Sequence, residues 1–191
     1  MYHINADPRS VQSKTMLYRA LSQRMKEKNF QSITVKEVVH TAQIGRSTFY
    51  RNFDSLEDIL QWKCDESFHA LYGYIVQSIA SQAVRTSDKF PFILPFFRYW
   101  HADSEIVELL IAANRIDIVF SAFEDTMKKL VLRLRPAMTK LSPQFDYFLA
   151  FRSGAIIRIL LQWIQNGKNL SPEDMHRFIE SQSEGFIPQM E

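Results

Sequence analysis

Residues Ile33–Leu60 read ITVKEVVHTAQIGRSTFYRNFDSLEDIL. Thr34 and Glu37 stand at the spacing of a capping box, in which a Thr side chain and a Glu side chain satisfy each other's backbone amides at a helix start. Val35, Val38 and Val39 then supply a short apolar face, so a helix of two turns ends at Thr41 or Ala42. Gln43-Ile44-Gly45 is a tight turn, and Arg46 to Arg51 forms a further short helix. Asn52-Phe53-Asp54 breaks the chain, and Ser55 with Asp58 caps a long helix carrying Ile59, Leu60, Cys64, Phe68, Leu71, Tyr72, Ile75 and Ile79. Upstream, Asp7-Pro8 pairs an N-cap residue with Pro at the first helical position. Leu17, Ala20, Leu21 and Met25 follow at helical spacing to near Lys28-Asn29. One longer helix and two short ones make a compact helix-turn-helix head over residues 1–54. The fourth helix leaves it as a connector into a body of residues 55–191.

The body is also helical. Five Gly and seven Pro in 191 residues signal few turns, which favours long helices over a many-stranded sheet. Asp88-Lys89-Phe90-Pro91 is a capped start, with Pro95 marking a first turn or a kink. Ser104-Glu105 opens a short helix to about Ala113. Asp117 to Leu134 carries a broad apolar face and stops before Pro136. Ser142-Pro143 caps a helix to Asn166, with Gly167 as its stop. Ser171-Pro172-Glu173-Asp174 starts a last helix reaching Ile187. The expected class is all-α, with about nine helices.

Charge is uneven. Through Arg51 there are nine Lys and Arg against three Asp and Glu, a balance of +6. The remaining 140 residues hold fourteen basic and eighteen acidic side chains, a balance of −4. A basic head on an acidic body points to an anionic partner at the head. Enzyme chemistry is not expected. There is no glycine-rich phosphate loop, no His-Glu-x-x-His run and no nucleophile elbow. His3, His40, His69, His101 and His176 are scattered without metal spacing, so neither a metal nor a cofactor is expected. The single Cys64 permits no intrachain disulfide, which suits a reducing cytoplasm. No run of about 18 apolar residues suggests a membrane span.

The head suits duplex DNA. A groove-entering helix is short, exposed and edged with donors, and its first residues meet the bases. Arg46, Ser47 and Thr48 occupy that start, where Arg46 suits bidentate contact with guanine and Thr48 suits a base edge or a thymine methyl. Tyr50 and the Thr34 hydroxyl are placed for phosphates, and Arg51 adds charge. Phe49 and Phe53 are core by type and setting.

Ile33-Thr34-Val35, Ala42, Ser47-Thr48-Phe49-Tyr50, Phe53, Ser55, Glu57 and Leu60 together resemble the DNA-binding signature of the TetR/AcrR family of bacterial transcriptional regulators. The resemblance covers about 30 residues. It implies that Arg46–Arg51 is the recognition helix, with Arg46, Ser47, Thr48 and Tyr50 in contact positions, and that Thr34 and Lys36 meet phosphate. It also implies a regulator, usually a ligand-responsive repressor. Three positions depart from the pattern: the usual turn glycine is Gln43, the usual capping serine is Gly45, and a common lysine is Leu56. Gln43 is therefore expected at positive φ.

The helix from Pro143 to Asn166 is apolar on nearly all sides, and a helix of that kind needs cover all round. A second copy of the chain is the economical cover. Phe145, Leu149, Ile156, Leu160 and Trp163, with Phe178, Ile179 and Phe186 of the last helix, are the expected homodimer face. The resemblance implies the same pairing, and a twofold dimer implies a near-palindromic operator with half-sites about 34–36 Å apart. It further implies an effector pocket for a small apolar or aromatic molecule, with candidate lining residues Trp62, Phe68, Phe96, Trp100, Phe120, Phe123, Phe148 and Arg152. A helical interaction module without specific DNA binding is the alternative.

Overall fold

The computed structural model describes residues 2–3, 7–81, 90–134 and 144–183. Among them are nine α-helices: α1 Pro8–Glu27, α2 Val35–Thr41, α3 Arg46–Asn52, α4 Leu56–Ala80, α5 Ile93–Ala102, α6 Glu105–Ala112, α7 Ile116–Leu134, α8 Gln144–Gln165 and α9 Pro172–Ser183. A single 3-10 turn at Phe30–Ser32, which sequence periodicity is too short to reveal, leads into α2. The all-α class and the helix order follow the sequence expectation.

The residues cluster into two compact units. One holds the chain to Ser67 together with Glu105–Ala122, and the other holds Phe68–Ser104 together with the chain from Phe123. The α4 and α7 helices each begin in the first unit and end in the second. The unit boundary thus falls within α4, some thirteen residues past the expected head boundary at 54, and α6 clusters with the head helices.

In the first unit Leu17 and Leu21 of α1, Val38 of α2, Phe49 of α3, Phe53, and Ile59 and Leu60 of α4 are all fully buried. Side chains spaced three and four apart on each short helix thus meet one core. Polar bonds close its edges. The Glu105 carboxylate, at the start of α6, accepts from the Tyr18 hydroxyl at 3.0 Å and from Ser22 Oγ at 2.8 Å, both on α1. The start of α4 is held as the sequence predicts, with Asp58 Oδ2 accepting from the Asp54 and Ser55 amides.

In the second unit α5 packs on α9, and Arg98 pairs with Glu173 at 2.7 Å. Pro95 lies in the first turn of α5, where its missing N–H costs nothing. Ser171 Oγ accepts from the Asp174 amide at 3.1 Å to cap α9. The segments carrying Asp88-Lys89, Pro136 and Ser142-Pro143, and the predicted extension of the last helix through Phe186 to Ile187, lie outside the described residues.

Gln43 does adopt the left-handed conformation, with φ 55°. It turns the chain after α2 so that the Ile44 amide reaches the Val39 carbonyl at 3.0 Å, closing the helix end. A side chain in this region costs about 1–2 kcal/mol. Glycine relieves that cost but gives back about 0.4–1 kcal/mol through the unfolded chain. Gln43→Gly should therefore raise the urea midpoint, by roughly 0.5 kcal/mol in stability, with an unchanged denaturant slope.

Candidate nucleic-acid interface

The two short helices expose one set of side chains and bury the other. Phe49 is fully buried, edge-on to Tyr50 at 5.1 Å between ring centroids and 6.2 Å from Phe53. With Phe49 held inside, Arg46, Ser47, Tyr50 and Arg51 are exposed, Tyr50 to 54%, and Thr48 is half-buried. Arg51 Nη2 donates to Thr48 Oγ1 at 3.1 Å, so that hydroxyl is engaged along its own helix. Lys36 is exposed on α2.

A depression of about 610 Å³ lies between α2 and the start of α3, lined by Lys36, Val39, His40, Gln43, Ile44 and Arg46. Its least exposed lining residues, Val39 and Ile44, are aliphatic, and the exposed ones bring two cations, an imidazole and an amide. This suits a strand of nucleic acid, with sugar C–H groups against the aliphatic residues and phosphate oxygens at the cations. Sequence reading missed His40, Gln43 and the Val39–Ile44 pair. The available signal was the four-residue step from Lys36 to His40, which puts both on one helix face.

Thr34 is committed to its cap. Its amide and its hydroxyl both donate to Glu37 Oε2 at 2.8 Å, and the Glu37 amide donates back to Thr34 Oγ1 at 3.3 Å. A phosphate contact by this hydroxyl competes with the capping box. The other Glu37 oxygen accepts from Lys28 Nζ at 2.6 Å. Two sequence departures have visible consequences. Gly45 caps α3 without a side-chain hydrogen bond, and Leu56 is buried, so it contributes to the core where a lysine would reach outward.

Residues 87–185 match a family model, TetR_C_8, described as a transcriptional regulator C-terminal region. The chain belongs to the TetR family of transcriptional regulators. Solved structures share this TetR-family fold. Lin0861 from Listeria innocua is similar with a TM-score of 0.76 at 14% identity, covering 97% of this chain and 96% of its own. A TetR transcriptional regulator from Streptococcus agalactiae is similar at 0.60 and 20% identity, covering 92% and 96%. The dihydroxyacetone kinase operon activator DhaS is similar at 0.55 and 20% identity, covering 87% and 91%. No curated protein matches the sequence.

The residues expected around a TetR-family effector pocket divide between the two units. Phe68, Phe96, Trp100 and Phe123 are buried together in the second unit, with Phe68–Trp100 centroids 5.2 Å apart and Phe96–Phe123 centroids 5.3 Å apart. The buried Trp100 indole N–H has no hydrogen-bond partner among the described residues. Arg152 stacks over Phe90 at 4.5 Å from the ring centroid. Trp62, in the first unit, packs on Phe53 at 6.2 Å, and Phe120 also belongs to the first unit. The side chain of Phe148 lies outside the described residues.

The residues expected at the dimer face differ in burial. Leu149, Ile156, Leu160 and Trp163 are buried within the single chain. Trp163, for example, is edge-on to Phe97 at 5.2 Å, and its indole donates to the Leu170 carbonyl at 3.0 Å. The exposed stripe of α8 is instead Tyr147 at 78%, Phe151 at 60% and Ala155, four residues apart. Phe178 of α9 is also exposed, and Ile179 is half-buried. Phe145 and Phe186 lie outside the described side chains.

Hydrogen bonds from Lys28, and then from the backbone and hydroxyl of Thr34, hold the Glu37 carboxyl well below the usual carboxylate range, at about 2. A depressed folded-state pKa stabilises fully above the unfolded value, about 4.3, and the contribution fades as pH falls through the folded value. The stability difference between the protein and a Glu37→Gln variant should therefore be largest above pH about 5 and shrink toward pH about 2. Urea midpoints measured across that range check it.

Proposed function

We propose that this protein is a homodimeric, ligand-responsive repressor that reads a near-palindromic DNA operator through α3. The observation that carries the reading is the exposure of Arg46 on α3 and Lys36 on α2 beside the aliphatic Val39 and Ile44, with the opposite face of α3 buried through Phe49. In this reading Arg46, Ser47, Thr48 and Tyr50 meet base edges and adjacent phosphates in the major groove. Lys36, His40 and Arg51 meet the backbone, and Thr34 does so only by leaving its cap.

The second copy docks on the Tyr147–Phe151–Ala155 stripe of α8 with Phe178 of α9. The support is aromatic area exposed on one helix face, which a self-complementary twofold contact covers with the same patch from its twin. The effector is an apolar or aromatic molecule bearing a hydrogen-bond acceptor. The support is the Trp100 N–H, which has no partner among the described residues, within an otherwise aromatic cluster. Because α4 is one continuous helix from the first unit to the second, effector binding at the second unit acts on the head through it.

Fluorescence anisotropy with genomically selected duplexes tests the DNA reading. Arg46→Ala should weaken operator binding by about 1–3 kcal/mol and relax preference at one base pair. Lys36→Ala should weaken all sequences alike and lower the salt slope by about one. Equal affinity for every duplex would sink the operator reading and favour a helical interaction module.

Light scattering tests the assembly. Phe151→Glu should convert the dimer to single copies at micromolar concentration while leaving the helical circular dichroism intact. A single-copy parent protein would refute this docking face.

A further inference from the structure

Tyr2 and His3, ahead of the Asp7 cap of α1, take no part in the proposed DNA contacts. Tyr2 lies antiparallel to Phe53 in an isolated bridge. The His3 amide donates to the Asn52 carbonyl at 2.9 Å. Its ring Nδ1 lies 2.9 Å from the Arg51 carbonyl, and Nε2 lies 3.1 Å from Asp54 Oδ1. The Tyr2 hydroxyl donates to Asp65 Oδ2 on α4 at 2.9 Å. Burial, reinforced by that bond and by the carboxylate charge, pushes its pKa up to about 12. From α1, Lys14 Nζ donates to the His3 carbonyl at 2.5 Å and stands 5.7 Å from the centre of the Tyr2 ring. Lys14 is only 3% exposed. Two residues therefore tie α1, the end of α3 and α4 together.

The last carbonyls of any helix lack partners within it. In α3 they are met by the helix's own last side chain, by the residue that follows it, and by His3. Thr48 O accepts from the Asn52 side chain at 2.8 Å, and Phe49 O accepts from the Phe53 amide at 2.9 Å. The Arg51 and Asn52 carbonyls face His3, and the buried Asn52 is pinned in turn by Ser10 Oγ at 2.6 Å. The opposite end of α3 is capped only by Gly45, with no side-chain bond. The helix is thus held at its C-terminal end and reads at its N-terminal end. Seven residues at 1.5 Å rise make a rod about 10 Å long, so a tilt of about 10° at the held end moves the reading end by about 2 Å. Base-edge hydrogen bonds tolerate only a few tenths of an ångström.

We propose that Tyr2 and His3 form a strap that sets the angle of α3, with His3 as a positioning residue for sequence reading. This rests on the assignment of α3 as the recognition helix.

The test uses the full chain, the duplex selected by the wild-type protein, and a scrambled duplex of equal length and salt. His3→Ala should raise the Kd for the selected duplex about tenfold, the equivalent of one or two lost hydrogen bonds. Its Kd for the scrambled duplex should not change, because phosphate contacts tolerate the tilt. Amide exchange at Asn52 and Phe53 should quicken by a similar factor. His3→Asn, whose side-chain amide still donates toward Arg51, should recover most of both effects. An unchanged Kd for the selected duplex with unchanged exchange overturns the strap, as does an equal loss on both duplexes, which would mark a general charge effect. A wild-type protein that selects no duplex would overturn the α3 assignment itself and with it this role. Preference kept intact in His3→Ala overturns the strap alone.

Discussion

The burial of Phe49 is the constraint on which the head depends. A helix of seven residues has almost no stability of its own, because nucleation is costly and few bonds repay it. Phe49 supplies what the backbone cannot, by placing a full aromatic ring in the core beside Phe53. It also sets the rotation of α3. With that one position inside, the helical repeat leaves Arg46, Ser47, Tyr50 and Arg51 facing water. Stability and exposure of the candidate reading face are therefore one fact.

Around that anchor the first unit is closed by short polar clasps. Glu37 serves the cap of α2 and the ammonium of Lys28 at once, and Glu105 takes two hydroxyls from α1. Each lies in the first turn of its helix and joins it to a neighbouring element, so points near helix termini are where elements are linked. The second unit follows a different rule. Its core is aromatic, with Phe68, Phe96, Phe97, Trp100, Phe123 and Trp163 in edge and tilted contacts.

Features written locally were legible from residue types and spacing. The capping box at Thr34, the Ser55–Asp58 start of α4 and the Ser171 cap of α9 all depend on residues at most five apart, and the left-handed Gln43 was implied by the family resemblance. Features set by distant contacts were not. Nothing near Tyr2 or His3 announces that they meet residues 51 to 65. The α8 helix is apolar nearly all round, so its pattern does not reveal which side its own chain covers. Trp163 and Leu160 went inward, while Tyr147 and Phe151 remained outside. Of the pocket residues that the resemblance implied, Trp62 and Phe120 belong to the first unit and Phe68, Phe96, Trp100 and Phe123 to the second.

The proposed docking of a second copy on the exposed faces of Tyr147 and Phe151 has a consequence for how response depends on the supply of this chain. If only paired copies grip DNA firmly, the competent form grows with the square of copy number while chains are scarce, and linearly once pairing saturates. Doubling synthesis from a low level then roughly quadruples occupancy. On that proposal, an aromatic stripe on one helix would sharpen the threshold at which a promoter begins to respond.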